Sequence, residues 1–252
     1  MKKYTMKDRE LKVLSVLGMV VIWNVVSVAV NREVLVPSPV ATIRSLLEIA
    51  SESGFYIAVL CTAGRSVAGV IAAALFAFVC GILSKYIKAC RIALGLAVDF
   101  LGAVPVIAVI ILAIIWLQNS LVPVFVGLLV SFPVLYDNVM ASIDGVDKEI
   151  VEMAEVYKVR KLVVFREIYA PSIARGIFDI SSTTVSITLK MVVAGEVLSQ
   201  PEFSVGANLQ VERAYLNTPG VFAWVVIILA LSKSLNMIVD MVKRRFDSRE
   251  WM

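Results

Sequence analysis

The sequence predicts an all-α membrane protein with six transmembrane helices and one helical hairpin outside the membrane. Hydrophobic residues make up 60% of the 252 residues, and the mean hydropathy of +0.88 is far above the usual range of soluble proteins. Six apolar runs are each long enough to cross a hydrocarbon core of about 30 Å. A single charged segment, residues 144–171, separates two of these runs and keeps its apolar residues at helical spacing. We treat the chain as one transmembrane domain.

The first predicted span covers residues 11–30 and follows a basic N-terminus. A cleaved signal peptide is the alternative, because Ser27-Val28-Ala29 loosely resembles a cleavage site. The apolar run is long for a signal peptide, which favours a retained span. Residues 39–52 then carry an apolar stripe typical of an amphipathic helix at the outer membrane interface.

The second predicted span, residues 60–83, has small residues at every fourth position, which allows another helix to approach closely. These residues are Gly69, Ala73, Ala77 and Gly81. Arg65 lies near the outer end of this span. It is either an anchor that reaches the interface or a residue of the translocation path that attracts anions.

The third and fourth spans are predicted at residues 92–117 and 121–140, with a short turn between them. Pro105 lies within the third run, and we expect it to bend or break that helix. The loop before this run is purely basic and contains Lys85, Lys88 and Arg91.

The fifth span, residues 176–198, is the most polar, and Asp179, Thr183, Ser186 and Lys190 fall on one helix face. Polar groups in a bilayer face the bundle interior or a water-filled path. The face is therefore either part of a translocation path or a cluster of hydrogen bonds between helices. The sixth span, residues 221–242, also has a polar face, and a loop at residues 199–219 precedes it.

The charged hairpin is predicted as two short helices. Asp147 is a suitable N-cap for the first helix, residues 158–160 form the turn, and Pro171 ends the second helix. Both helices have an apolar face that lipid would not cover. This pattern favours a surface that docks into another protein, while a loop packed on its own chain is the alternative.

The distribution of Lys and Arg predicts which side is cytoplasmic. Eighteen basic residues lie at the two termini, the 84–91 loop and the hairpin, whereas the opposite side has only Arg32, Arg44 and Arg213. The rule that positive loops stay inside places both termini and the hairpin in the cytoplasm.

The sequence also excludes several classes of function. It contains no histidine, and Cys61, Cys80 and Cys90 lack metal-ligand spacing, so we expect neither a metal site nor a His-based catalytic triad. Val70 occupies the position at which a phosphate-binding loop needs lysine. We therefore expect no cofactor, no ATP site in this chain and no enzymatic activity. The net charge of +4 is spread beside apolar runs, which does not suggest nucleic-acid binding.

The hairpin resembles the "EAA" loop of ABC-importer permease subunits. Glu152, Met153 and Ala154 match the motif, and Ile168 to Pro171 match its later I-x-L-P. Lys158 occupies the usual glycine position. If that position needs a positive φ, a lysine costs about 1 kcal/mol, so the turn could be built differently here.

Other segments resemble the branch of these permeases that handles nitrate, sulfonates, taurine and bicarbonate. The sequence LVPSP before residue 40 is similar to its "LPSP", and GAVPVIA around Pro105 is similar to its "RPIPPLA" without the arginine and two of the prolines. LKMVVAGEVL is similar to "WKxxxAAExL", with Lys190 and Glu196 matching. The words SVGANL, AYLNT and FAW match the region before the last span.

The resemblance implies a MetI-like permease in a bacterial inner membrane that works as a homodimer. It implies two ATPase subunits, which bind ATP and Mg²⁺, and an extracytoplasmic solute-binding protein. The residues implied for contact with the ATPase are Glu152, Met153, Ala154, Tyr157, Lys158, Phe165 and Pro171. The residues that would line the translocation path are Arg65, Pro105, Asp179, Thr183, Ser186, Lys190 and Glu196. Lys190 and Arg65 favour a small anionic solute.

A secondary transporter or channel remains the rival hypothesis. It would use Arg65, Lys190 and Lys233 directly and need no ATPase, but it leaves the hairpin unexplained. A membrane-embedded enzyme is disfavoured because the spans hold no convergent set of nucleophile, base and metal ligands.

Overall fold

The computed structural model describes residues 6–247, and over that range it consists of helices joined by short connections. The predicted basic residues Lys2, Lys3 and Arg249 lie outside the described residues. The helices are α1 (Met6–Val30), α2 (Pro39–Ser51), α3 (Phe55–Tyr86), α4 (Lys88–Ala103), α5 (Val106–Trp116), α6 (Val122–Asp144), α7 (Lys148–Val156), α8 (Lys161–Val164), α9 (Ala170–Ser199), α10 (Val205–Ala214) and α11 (Thr218–Asp247), with a π-turn at Phe165–Tyr169.

By length and composition, five stretches among the described residues could cross a membrane, or six if the bent pair α4 and α5 counts as one span. The predicted bend or break of the third span at Pro105 is confirmed, because α4 and α5 meet at 102°. The break falls at Val104 and Pro105, whose ψ angles of 130° and 124° are extended. A proline lacks the N–H that would continue the helix and disfavours helical geometry at the residue before it, which explains the break at this point.

The prediction that Pro171 ends the second hairpin helix is wrong. Residues 161–199 form one continuous helical stretch, and Pro171 lies in the first turn of α9. The π-turn directly precedes this proline, and the N–H of Ala170 bonds to the carbonyl of Phe165. A proline ring crowds the carbonyl four residues earlier, and a widened turn relieves that crowding. The second arm of the hairpin therefore continues into the fifth span without a break.

The helices group into two compact units. The first comprises the chain up to Ile57 together with Asn208–Leu229. In it, Trp23 stacks on Phe222 with ring centroids 5.7 Å apart, and the Trp23 indole N–H donates to the carbonyl of Pro37 at 3.0 Å. Most of α10 also belongs to this unit, in a segment that the sequence predicted to be a loop.

The second unit comprises Ala58–Ala207 and the chain from Ala230 onward, and its core lies where α6 packs along α9. The predicted small-residue face of α3 is confirmed, since all four of its residues are buried. A Cβ at Gly69 would lie 3.3 Å from the backbone of Gly127, and one at Gly81 would collide with the side chain of Val139. Close approach of α3 and α6 thus depends on these glycines.

Candidate functional site

The hairpin comprises residues 144–171. Its first helix, α7, is capped by hydrogen bonds at both ends. The Asp147 carboxylate accepts a hydrogen bond of 2.9 Å from the backbone N–H of Glu149, so the predicted N-cap is present. At the other end, the N–H of Lys158 donates to Glu155 at 2.9 Å and the N–H of Val159 donates to Ala154 at 2.9 Å. These two bonds form a Schellman motif, which needs a left-handed residue at its centre.

Lys158 provides that left-handed residue with a φ of 52°. The turn therefore has the same backbone geometry as one with glycine. The expectation that lysine could change the turn is wrong. The lysine adopts the geometry that glycine adopts more easily, at a cost of about 1 kcal/mol.

The second arm of the hairpin is fixed to the membrane helices. Phe165 is half-buried and meets Phe78 of α3 edge-on, with ring centroids 6.3 Å apart. The Lys85 ammonium lies over the ring of Tyr169. The hydroxyl of Ser172 donates to the carbonyl of Ser142 in α6 at 2.9 Å. Phe165 thus anchors the hairpin to its own chain, and its contact with an ATPase stays a prediction.

The hairpin also exposes a set of large apolar side chains, which we call the docking patch. Val156, Tyr157 and Leu162 are 78%, 77% and 77% exposed. The patch consists of Ile150, Met153, Val156, Tyr157, Leu162 and Val163. Beside it, a shallow apolar depression of about 260 Å³ has Ala154 in its lining, and Ala154 is only 8% exposed. Several large apolar side chains exposed on one short segment are typical of an interaction site.

A polar cavity of about 350 Å³ adjoins the patch on the side of α7 that carries Glu152. Lys85, Lys148 and Glu155 also line it. Arg91 binds the start of the hairpin, because its guanidinium donates to both carboxylate oxygens of Asp144 at 3.1 and 2.6 Å. The hairpin therefore offers a partner an apolar centre with charged residues at its edge.

The four residues of the polar face predicted on α9 fall into two groups, one bonded to α11 and one exposed. Two of its members bond to α11: Asp179 pairs with Lys243 at 2.6 Å, and Ser186 accepts from Asn236 at 2.7 Å. Thr183 and Lys190 are exposed on the same helix. The face is thus partly a cluster of hydrogen bonds between helices. Pro105, the other predicted path residue in this unit, is exposed at the break between α4 and α5.

Arg65 and Glu196, both predicted to line the path, pair with each other. Their closest atoms, Nη1 and Oε1, are 2.8 Å apart, and the side chains are 15% and 0% exposed. The Glu196 carboxylate also accepts from the hydroxyl of Thr62 at 2.9 Å and from the backbone N–H of Gly206 at 3.1 Å. Thr62 in turn accepts from the N–H of Val205 at 3.0 Å. A carboxylate with this many partners is held for structure and leaves little capacity for a solute.

Sequence reasoning missed Thr62 and Gly206 as members of this Glu196 cluster. A Cβ at Gly206 would come within 2.7 Å of the carbonyl oxygen of Val193 and 2.8 Å of the backbone nitrogen of Val197. Gly206 therefore lets the start of α10 lie directly on α9. Gly206 is the glycine of the S-x-G motif at residues 204–206. That motif was the one signal in the sequence that could have pointed to this position.

Comparison with known proteins matches residues 66–248 to the family of binding-protein-dependent transport system inner membrane components. The riboflavin transport system permease protein of Chloroflexus aurantiacus is 24% identical over 143 residues, a match that covers 56% of this chain and 53% of that protein. A putative aliphatic sulfonates transport permease of Bacillus subtilis is 24% identical and is matched over 90% of this chain and 82% of its own length. A putative ABC transporter permease of Methanocaldococcus jannaschii is 22% identical, with coverage of 94% and 92%.

A crystal structure of an amino acid ABC transporter with histidines has the same fold. Its TM-score is 0.62 at 14% identity, and the match covers 78% of this chain and 94% of that one. The helical architecture, the several candidate spans and the family match over most of the chain agree with one another. This chain is a multi-pass membrane protein that belongs to the family of binding-protein-dependent transport system inner membrane components, and it is an ABC-importer permease rather than an enzyme.

Proposed function

We propose that this chain forms, as a homodimer, the membrane channel of an ATP-driven importer that receives a small anionic solute from an extracytoplasmic binding protein. Two separate ATPase subunits drive it through the hairpin. The termini and the hairpin lie in the cytoplasm, in line with the distribution of basic residues.

The docking patch is the observation that carries this proposal. Tyr157 and Leu162 are each 77% exposed, although the hairpin that carries them is anchored to the membrane helices through Phe165. Exposing a large apolar side chain to water is unfavourable in free energy. Burying it in a groove on a partner protein removes that unfavourable contribution. Lipid cannot cover the patch if the hairpin projects into the cytoplasm.

The continuous helix from α8 to α9 supports a mechanical coupling. Residues 161–199 form one helical stretch, so a displacement of the hairpin is transmitted along the fifth span without an intervening loop. In the proposed cycle, ATP-driven closure of the ATPases moves the two hairpins together and opens the spans outward. The solute then enters from the binding protein, and ATP hydrolysis resets the assembly.

The anionic character of the solute rests on α9. Lys190 is exposed on this helix near Thr183, whereas Arg65 is committed to Glu196. A sulfonate is the first solute to test, because the Bacillus subtilis relative matched over 90% of this chain is described as transporting aliphatic sulfonates. Lys190→Ala should lower the uptake of an anion while leaving assembly with the ATPase intact.

Reversing the charge of Glu152 tests the coupling role. Glu152 is exposed at the edge of the docking patch. Glu152→Lys should leave the permease inserted but abolish copurification of the ATPase and solute uptake. The matched control is Glu48→Lys, an equally simple reversal at an exposed carboxylate of α2. Normal uptake by the Glu152→Lys variant would remove the basis for this proposal, and so would solute transport by this chain alone in vesicles.

A further inference from the structure

Three side-chain bonds join α9 to α11 in the second unit and fix one antiparallel register. They pair Asp179 with Lys243 at 2.6 Å, Ser182 with Asp240 at 2.9 Å and Ser186 with Asn236 at 2.7 Å. Each step of three or four residues along α9 is matched by an equal step back along α11. The register therefore shows which other residues of the two helices lie at the same height.

The same register brings Lys190 and Lys233 to one height. Lys190 lies four residues beyond Ser186, and Lys233 lies three residues before Asn236. With a rise of about 1.5 Å per residue, the two lysines differ in height by about one residue. Lys233 lies at the middle of the 30-residue helix α11. Its side chain therefore cannot reach a membrane interface in the way that a lysine near a helix end does.

Both lysines also lie on the same side of the contact between α9 and α11. The other side is an apolar groove shared with α3 and lined by Val185 and Leu235. Counted from the last of the three bonded pairs at about 100° per residue, Val185 and Leu235 lie about 100° round their helices. Lys190 and Lys233 lie about 40° and 60° round in the opposite direction, and both are exposed. The side away from the groove therefore presents two ammonium groups at one height.

These two ammonium groups have no counter-ion within the chain. Among residues 6–247, neither Lys190 nor Lys233 forms an ion pair. The carboxylates of the same contact lie further toward the hairpin, where Asp179 binds Lys243 and Asp240 accepts from the hydroxyl of Ser182. Two like charges at one height on membrane helices repel each other, and each is costly to place there. An anion between them removes both penalties.

We infer that Lys190 and Lys233 together bind the anionic group of the solute as it passes along α9 and α11. The inference rests on the proposed function, in which the solute is a small anion, and it adds Lys233 as the second cation of one site. A sulfonate suits such a site, because its oxygens accept charge-assisted hydrogen bonds from two ammonium groups at once.

Trace labelling of lysine amines tests the site. The full chain in phosphatidylcholine nanodiscs is treated with a limiting amount of acetic anhydride, and the acetylation of each lysine is measured by mass spectrometry. Ethanesulfonate is titrated against equal concentrations of chloride. Near saturation, acetylation of Lys190 and Lys233 should fall about tenfold with one shared midpoint. Lys88, which is exposed in the loop between α3 and α4, is the internal control and should be labelled equally in both salts.

Variants test whether the two lysines form one site. Lys190→Gln should abolish the protection of Lys233 by ethanesulfonate, and Lys233→Gln should abolish that of Lys190. Lys233→Arg keeps the charge and should keep Lys190 protected. Lys148→Gln, at an exposed residue of α7, is the charge control and should leave both lysines protected. All four variants should melt at the wild-type temperature, because neither Lys190 nor Lys233 has a partner in the fold.

Three outcomes would overturn the inference. They are equal acetylation in ethanesulfonate and chloride, protection of each lysine that survives loss of the other, and resistance of both lysines to acetylation in either salt. The last outcome would assign this side of α9 and α11 to a contact with a second copy of the chain.

The labelling experiment needs no ATPase, so it separates this inference from the proposed function. Protection of both lysines without ATP-driven uptake by the assembled importer would contradict the proposed function alone. Uptake of ethanesulfonate by that importer without protection of the lysines would contradict the paired site alone.

Discussion

The two ends of the long α9 stretch differ in a way that explains which residues serve structure and which serve function. Toward Ser199, a charged side chain is fully buried, since Glu196 is 0% exposed and bonds to three different residues. Toward the hairpin, large apolar side chains are exposed, as with Leu162 at 77%. Buried charge with every partner inside the chain holds the fold, whereas exposed apolar surface is incomplete without another molecule.

The largest expected effect is at the Glu196 cluster. Glu196→Gln would leave the partly buried Arg65 guanidinium, which is 15% exposed, without its countercharge and should destabilise the protein by about 3 kcal/mol. Thermal unfolding of the purified protein in detergent measures this loss. Replacing both residues, Arg65→Gln with Glu196→Gln, should recover part of it. A double variant no more stable than the single one would show that the pair is not the unit that stabilises this end.

Gly206 should have the next largest effect. In Gly206→Ala, the new Cβ would lie within 2.8 Å of two backbone atoms of α9, so α10 must shift and stability should fall by about 1–3 kcal/mol. Gly64→Ala is the control, because a Cβ there meets no atom within 4 Å. Equal melting temperatures for the two variants would contradict the close packing of Gly206 on α9.

Substitutions in the docking patch should leave the stability of the chain unchanged and weaken its affinity for the ATPase, unlike those at Glu196 and Gly206. Tyr157→Ala removes a side chain that is 77% exposed, so the unfolding temperature should stay within the error of the wild type. Affinity for the ATPase should fall about tenfold, because truncating an aromatic anchor at an interface costs about 1–2 kcal/mol. Phe165→Ala provides the contrast, since it should lower stability through its contact with Phe78. Pull-down titration and thermal unfolding separate the two effects.

The smallest expected effect is at the turn of the hairpin. Lys158 holds a φ of 52°, so Lys158→Gly should relieve strain and raise stability by about 0.5–1 kcal/mol, while affinity for the ATPase changes little. Lys161→Gly, in the first turn of α8, is the control and should destabilise instead. A loss of stability in Lys158→Gly would show that the lysine side chain stabilises the turn.

Local patterns predicted much of the fold. Long apolar runs identified the membrane helices, and Asp147 before a short amphipathic run identified the start of α7, because both signals depend on neighbouring residues. Prolines were harder to interpret. Pro105 breaks its helix and Pro171 is absorbed by a π-turn, a difference that depends on the surrounding packing.

The candidate site was predictable in part for the same reason. The hairpin and its exposed apolar face follow from helical periodicity. The partners of Glu196 do not, since Thr62 and Arg65 lie 134 and 131 residues away in the chain. The sequence alone does not show that two charged residues from different helices meet, so the pairing of Glu196 with Arg65 was not predicted. Their role in a translocation path stays a prediction. Lys190, which stays exposed, is now the stronger candidate for contact with solute.

Hydrogen–deuterium exchange on the permease, alone and assembled with its ATPase subunits, tests the central claim most directly. The amides of α7, the 157–160 turn and α8 should become protected when the ATPase is added, while those around Glu196 and Gly206 should be equally protected in both states. Unchanged exchange across residues 147–170 in a confirmed complex would contradict the assignment of the hairpin as the coupling element.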